Sequence, residues 1–312
     1  MTRRTVLQTL AAAAALARES RPQAAAEKNG GPRAGVEAGA RTRPLVCAFS
    51  KNLAKIPYAQ LGLIASQMGY DGVDLTVMQG GHVNPNITNV DLVRAVESVR
   101  GAGVEVPMIT TDITSQADAS AYAILAITSR VDVNLFRTGF WPWGSEGNIP
   151  KRLAQIRNDI VNTVALGKQN KMVAMFPNRA GSFFGSAFWD AQSVLADLDP
   201  AWIGYYFDPS QTQTWEPALR YALPRLKAVA VQDGTWQKVD DRWMLKPCPL
   251  GEGMVDWQVF FRILAQARFT GPVSVHFEYQ AQDEVSAMTK DLAFVRTQIE
   301  QAWNPGPVRR IN

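Results

Sequence analysis

Histidine and cysteine are scarce in this chain: 312 residues contain two of each. Cys47 and Cys248 are too few and too far apart to form a disulfide framework, though an oxidising compartment leaves one bridge open. Long apolar runs are also missing. The longest near the N-terminus, Thr9 to Ala17, falls well short of the ~20 residues that a bilayer-spanning helix needs, so no membrane span is expected. No glycine-rich dinucleotide fingerprint follows the first predicted strand, which weakens the case for a doubly wound nucleotide-binding sheet. An excess of one charge sign is absent from the body of the chain. The net charge of +4 is misleading, because residues 1–43 hold eight of the 32 Lys and Arg but only three of the 28 Asp and Glu. The remaining 24 basic and 25 acidic residues balance, so there is no basic surface for nucleic acid.

The basic leader has an organisation of its own. Arg3-Arg4 precedes the short apolar run, which ends in the small-residue site Ala15-Leu16-Ala17. A charged start, an apolar core and a small-x-small site read as a twin-arginine-like signal peptide over residues 1–17, directing export to the periplasm. Residues 18–43, rich in Ala, Gly and Arg and without apolar periodicity, read as a disordered linker. The domain itself is expected over 44–303, with a tail at 304–312.

From Leu45 onward, short β-rich runs alternate with amphipathic helical ones. Predicted strands are Leu45–Phe49, Gly72–Val77, Val104–Thr110, Val133–Thr138, Lys171–Phe176, Ile203–Phe207, Ala228–Val231 and Pro272–Phe277, each followed by a helical segment. Eight strand–helix repeats argue for parallel strands with helical crossovers. Eight is the number that closes a (β/α)8 barrel, and the ~250 residues available suit one. Function is then expected at the C-terminal strand ends, where polar residues cluster: GGHV (80–83), TTD (110–112), RTGFWPW (137–143), NRAG (178–181), DPSQ (208–211), QDGTW (232–236) and HFEY (276–279). In the last of these, alternation predicts that His276 and Glu278 share the face opposite Val273, Val275 and Phe277.

The ordered set of motifs resembles the sugar phosphate isomerase/epimerase family, the xylose isomerase-like TIM barrels, from about Leu45 to Trp303. GYDGVDLTV (69–77) is similar to that family's second strand, with Asp74 as its acidic residue, and GGHVNP (80–85) to a loop of an exported branch. YFDPSQ (206–211), AVAVQD (228–233), LGEGMVDW (250–257) and VSVHFEY (273–279) resemble its later site strands and loops. The resemblance implies a divalent metal (Mn, Mg, Co or Zn) held by Asp208, Gln232 and Glu278, all oxygen donors that suit a hard ion. Such an ion polarises a carbonyl so that a carboxylate can take the neighbouring proton.

The pattern is broken at the fifth strand, where the family has its first glutamate. Here Phe176-Pro177-Asn178-Arg179 carries no carboxylate, and Gln211 stands where the family often has histidine. Arg179 would be repelled by a dication, at ~4 kcal/mol for two unit charges 4 Å apart near a protein surface. The same arginine suits a carboxylate or phosphate of a sugar.

Two readings follow. The first is an isomerase, epimerase or lyase acting on a small-molecule carbohydrate by metal-assisted proton abstraction, with Glu278, His276 and Asp74 as catalytic residues. His82, Arg137, Trp141, Arg179 and Trp236 would bind substrate, the aromatic faces suiting sugar rings. The second is a non-catalytic or metal-free carbohydrate-binding barrel that has lost the first metal-ligand glutamate. A metal-free hydrolase is a third option if Asp208 and Glu278 stand roughly 5–10 Å apart. Each site residue also has a structural alternative: Glu278 in an ion pair with Arg137 or Arg179, His276 in the core, Asp208 in a turn. The sequence is silent on oligomeric state.

Overall fold

A computed structural model describes residues 42–145 and 147–305. The expected signal peptide, nearly all of the linker and most of the C-terminal tail lie outside the described residues. Strands and helices alternate in the order β1 (Val46–Phe49), α1 (Tyr58–Met68), β2 (Gly72–Val77), α2 (Thr88–Gly101), β3 (Glu105–Thr111), α3 (Ala121–Arg130), β4 (Leu135–Arg137), α4 (Ile149–Gln169), β5 (Val173–Pro177) and α5 (Trp189–Leu195). They continue with β6 (Ile203–Phe207), α6 (Trp215–Ala222), β7 (Leu226–Val231), the hairpin β8 (Asp233–Val239) and β9 (Arg242–Cys248), α7 (Trp257–Gln266), β10 (Val273–Val275) and α8 (Glu284–Trp303). Eight of the strands close a parallel barrel in the order β1-β10-β7-β6-β5-β4-β3-β2. This is the expected (β/α)8 TIM barrel.

Local chemistry sets the helix boundaries. α1 follows Pro57 and stops at Gly69, whose left-handed φ of 92° suits a residue without a Cβ. Asn148, Asp256 and Asp283 cap α4, α7 and α8 by accepting backbone N–H bonds from the first turn. Among the described residues no helix is long and apolar enough to cross a membrane.

The core has two layers. One lies between the strands and the helical jacket, with Phe136, Phe176, Phe207, Phe260 and Phe261 among its fully buried side chains. The other fills the barrel interior with Met108, Met175, Tyr206, Ala228 and Ala230, against which Leu135 packs. Inward positions then turn polar toward the C-terminal end. The register sets Thr110 beside Arg137 and Arg137 beside Met175, while Tyr206 stands between Pro177 and Ala228. The barrel is thus plugged below and carries hydrogen-bonding groups above, where strand ends meet solvent.

Two details differ from the sequence expectation. After β7 the chain makes an antiparallel hairpin rather than a plain loop. Its turn residues Asp240 and Asp241 have φ of 47° and 60°, the left-handed pair of a type I′ hairpin turn. β10 is also shorter than expected, ending at Val275 rather than Phe277. No disulfide joins Cys47 and Cys248.

Candidate active site

Asp74 on β2 is a fully buried carboxyl inside the barrel. Its Oδ2 accepts hydrogen bonds from Ser274 Oγ at 2.8 Å and Tyr206 Oη at 3.3 Å, while Oδ1 has no partner. Burial pushes the Asp74 carboxyl above its ordinary pKa, against the opposing pull of Ser274, Thr110 and Arg137. Tyr206 Oη also lies 2.8 Å from His276 Nε2, so one phenol links the carboxyl to the imidazole. His276 lies flat on Phe49, with ring centroids 3.9 Å apart and planes 4° apart. Burial, then the charges of Arg137 and Lys51, push the imidazole down to about 3. At neutral pH it is uncharged, with one nitrogen donating and the other accepting.

Arg137, at the end of β4, is 6% exposed. Its Nε donates to Thr110 Oγ1 at 3.3 Å and its Nη2 to the Thr111 carbonyl at 3.4 Å, both long bonds to neutral acceptors. Its guanidinium lies 4.8 Å from the centre of the Phe140 ring. Arg179, exposed just past β5, reaches the same ring at 4.6 Å and Phe183 at 4.9 Å.

Beside β5 stands Asp208, the residue after β6. Oδ1 accepts from the Ser210 amide at 2.9 Å and Ser210 Oγ at 2.7 Å, and Oδ2 accepts from Gln232 Nε2 at 2.5 Å. Burial pushes the carboxyl up to about 6; the Gln232 and Ser210 bonds oppose this, and the negative charge of Glu278 adds to it. Asn178 holds the Asp208 backbone from β5, its Nδ2 donating to the Asp208 carbonyl and its Oδ1 accepting the Asp208 N–H.

Glu278 is exposed, three residues past the end of β10. The last ladder bond runs from the His276 amide to the Val231 carbonyl. Asn52 then takes over the next residue with both amide atoms, accepting from the Phe277 N–H and donating to the Phe277 carbonyl. Strand alternation therefore ends before it reaches Glu278. Among the described residues Glu278 makes no ion pair with Arg137 or Arg179, contrary to that structural alternative.

The implied metal ligands do not fit a dication as they stand. Both Asp208 oxygens are taken by donors, the Gln232 amide turns its N–H toward Asp208, and both Asn178 amide atoms are spent on backbone. Among the described residues no group of three or more His, Cys, Asp or Glu side chains is arranged to hold a metal ion.

The other sequence-nominated residues make no hydrogen bond to Asp208, Glu278 or Arg137 among the described residues. His82 Nε2 bonds the Ile56 carbonyl at 3.0 Å, and burial lowers its pKa. Trp141 is 2% exposed, donates to the Thr114 carbonyl and stacks on Phe176. Trp236 belongs to β8, with its buried Nε1 unpartnered.

Sequence reasoning missed Tyr206 and Asp233. Tyr206 alternates with Asp208 in YFDPSQ, so strand period alone would have pointed it inward. Asp233 Oδ2 accepts from the Gly251 and Gly253 amides and from Trp257 Nε1, and Oδ1 from the Gly234 amide. It ties the LGEGMVDW loop to the end of β7, and a Cβ on Gly253 would collide with its carboxylate.

Comparison with known proteins adds context to this geometry. The model of a family described as xylose isomerase-like TIM barrel matches residues 63–298. No curated protein sequence matches the chain. Among solved structures, a xylose isomerase-like TIM barrel protein from Mycobacterium smegmatis in complex with magnesium superposes with a TM-score of 0.65 at 13% identity, covering 83% of this chain and 97% of that one. An L-ribulose 3-epimerase gives 0.64 at 13% identity, with 83% and 95% covered. A 3-keto-D-glucoside 4-epimerase from E. coli gives 0.61 at 15% identity, with 82% and 100% covered.

Proposed function

The chain belongs to the xylose isomerase-like TIM barrel family, and from that premise we propose that it is a sugar isomerase or epimerase, moving a proton at the carbon beside a carbonyl. One observation carries the reading: Asp208 is a buried carboxyl raised to about 6 at the barrel mouth, close enough to Glu278 to feel its charge. Two carboxyl groups in unlike surroundings can divide acid and base work between them. Glu278, exposed and negative, takes the proton from the α-carbon. The C–H electrons form the new C=C bond, and the carbonyl oxygen receives a proton from Asp208. Reversal on the other face, or at the neighbouring carbon, gives an epimer or an isomer. Two structural neighbours, both epimerases, support the reaction class. No step is assigned to a metal, because the donor arrangement does not fit one.

The test is proton exchange. A ketose panel is incubated with the protein in D2O and followed by NMR, with and without added Mg²⁺ or Mn²⁺. Deuterium entering at the α-carbon, and lost in Glu278→Gln, is the expected result. No exchange on any ketose under any metal condition overturns it. The spent Asn178 amide favours a second reading, a carbohydrate-binding barrel without catalysis, which is the outcome if sugars bind but do not exchange.

The Arg3-Arg4 leader further supports export by the twin-arginine route, which fusing residues 1–43 to a folded reporter tests by its periplasmic recovery.

A further inference from the structure

We infer that Arg137 and Arg179 form a two-armed site for an acidic group, so that the ligand is a sugar bearing a carboxylate or a phosphate monoester. The inference deepens the proposed function and relies on it only for the location of the mouth.

Arg137 carries the argument. A guanidinium 6% exposed needs compensation, and structural arginines at this depth usually find it in a carboxylate. None of the described residues makes an ion pair with Arg137. Of its five N–H donors, two are used in long bonds to neutral oxygens. Asp74 lies close enough to be felt, yet its bonds go to Ser274 and Tyr206.

Arg179 makes the second arm. It has neither a hydrogen bond nor an ion pair with any described residue, and it rests on Phe140 and Phe183. Contact with a ring uses the face of a guanidinium and leaves its N–H edge open to an acceptor. Both arginines share the Phe140 ring, at 4.8 and 4.6 Å. Arg137 feels the charge of Arg179, a repulsion that an oxyanion bound by both would relieve.

The carboxyls fix the orientation. Asp208, just past the neighbouring β6, and Glu278, past β10, would repel an anion, so the acidic group lies against the two guanidinium edges and the hydroxyl or carbonyl end faces the carboxyls. A carboxylate and a phosphate share the chemistry that two guanidinium edges recognise, and the probes separate them.

Binding of D-glucuronate, D-fructose 6-phosphate, D-glucose and D-fructose to the full chain is measured by calorimetry at low and high salt. At least one anionic sugar should bind about tenfold or more tightly than its neutral counterpart, and the preference should weaken with salt. Arg179→Gln should cut that affinity about tenfold or more, whereas Lys168→Gln, at a surface lysine over Trp202, should not. Arg137→Gln should cut it further, with a thermal melt checking that this buried variant folds. Arg179 is exposed, so its variant tests the idea independently of folding.

Preference for glucuronate identifies a carboxylate and preference for fructose 6-phosphate a phosphate. Equal binding of neutral and anionic sugars, no binding of either anion, or wild-type affinity in Arg179→Gln overturns the inference. Since the readout is binding, anion binding without proton exchange leaves this site standing while the isomerase reading falls.

Discussion

Asp208 and Asp233 are both buried carboxylates, each just past the end of an inner barrel strand and separated in space by little more than Gln232. Asp233 sits in a loop cluster whose donors are all neutral and fixed: three backbone amides and the Trp257 indole. Asp208 sits at the mouth, held by Ser210 and Gln232, where burial raises its pKa to about 6 and the charge of Glu278 adds to the rise. A carboxylate surrounded by rigid donors organises the chain. One whose proton is near balance at neutral pH can do chemistry. Burial alone does not separate the two roles; the donors and neighbouring charges do.

The largest effect should come from the mouth. Glu278→Gln removes the proposed base and Asp208→Asn the proposed acid, and each should slow α-proton exchange by roughly 10²–10⁴-fold, the usual range for general acid–base groups. Exchange within a few-fold of wild type in both variants would erase the functional side of the contrast. Stability should respond in the opposite order. Asp233→Ala leaves four donors without their acceptor, each costing about 1–3 kcal/mol when buried. A melting temperature lower by roughly 10 °C or more is expected, since each kcal/mol is worth roughly 2–4 °C in a domain of this size. Wild-type melting would show that the loop cluster does not depend on its carboxylate.

How far these roles were legible in the sequence follows the same division. The barrel was readable because eight apolar runs each came before an amphipathic helix. The polar strand ends were readable because alternation puts every second residue inward. The early end of β10 was not legible, because Asn52 captures the Phe277 backbone in a contact spanning 225 positions. No local pattern announces it. The hairpin had a signal that went unused: two β-rich runs around Asp240-Asp241, in DGTWQKVDDRWMLKPC. Asp233 was hidden because its partners Gly251, Gly253 and Trp257 lie about twenty residues on. The Arg137–Phe140–Arg179 group was half visible, since both arginines follow strands but the shared ring emerges only from the fold.

A finer break in the comparison uses pH. An unfolded aspartate titrates near 3.9, whereas native Asp208 titrates at about 6. Between about pH 4 and 6 the native state therefore holds a proton that the unfolded chain has released, and stability falls as pH rises through that window. The cost is absent below it and complete above it, at an order of 3 kcal/mol for about two pKa units. Asp208→Asn should remove this slope and melt no lower than wild type at pH 7–8, while activity is lost. A variant that loses both activity and stability would place Asp208 with Asp233 among structural carboxylates.

The smallest effect is expected at the outer end of the same β7–α7 connection, and it bounds the comparison. Trp243 on β9 is 68% exposed and stands opposite Lys238 on β8. Little of its indole is withdrawn from water, so Trp243→Ser should shift stability by about 0.5 kcal/mol or less. Asp233, at the base of that hairpin, faces Cys248 and anchors the loop beyond it. If the tip is neutral and the base is costly, stability in this connection is concentrated in one carboxylate and its four donors. A cost at Trp243 comparable to that at Asp233 would mean that the hairpin holds itself down along its length, and the sharp contrast between Asp233 and its neighbour Asp208 would dissolve into general packing.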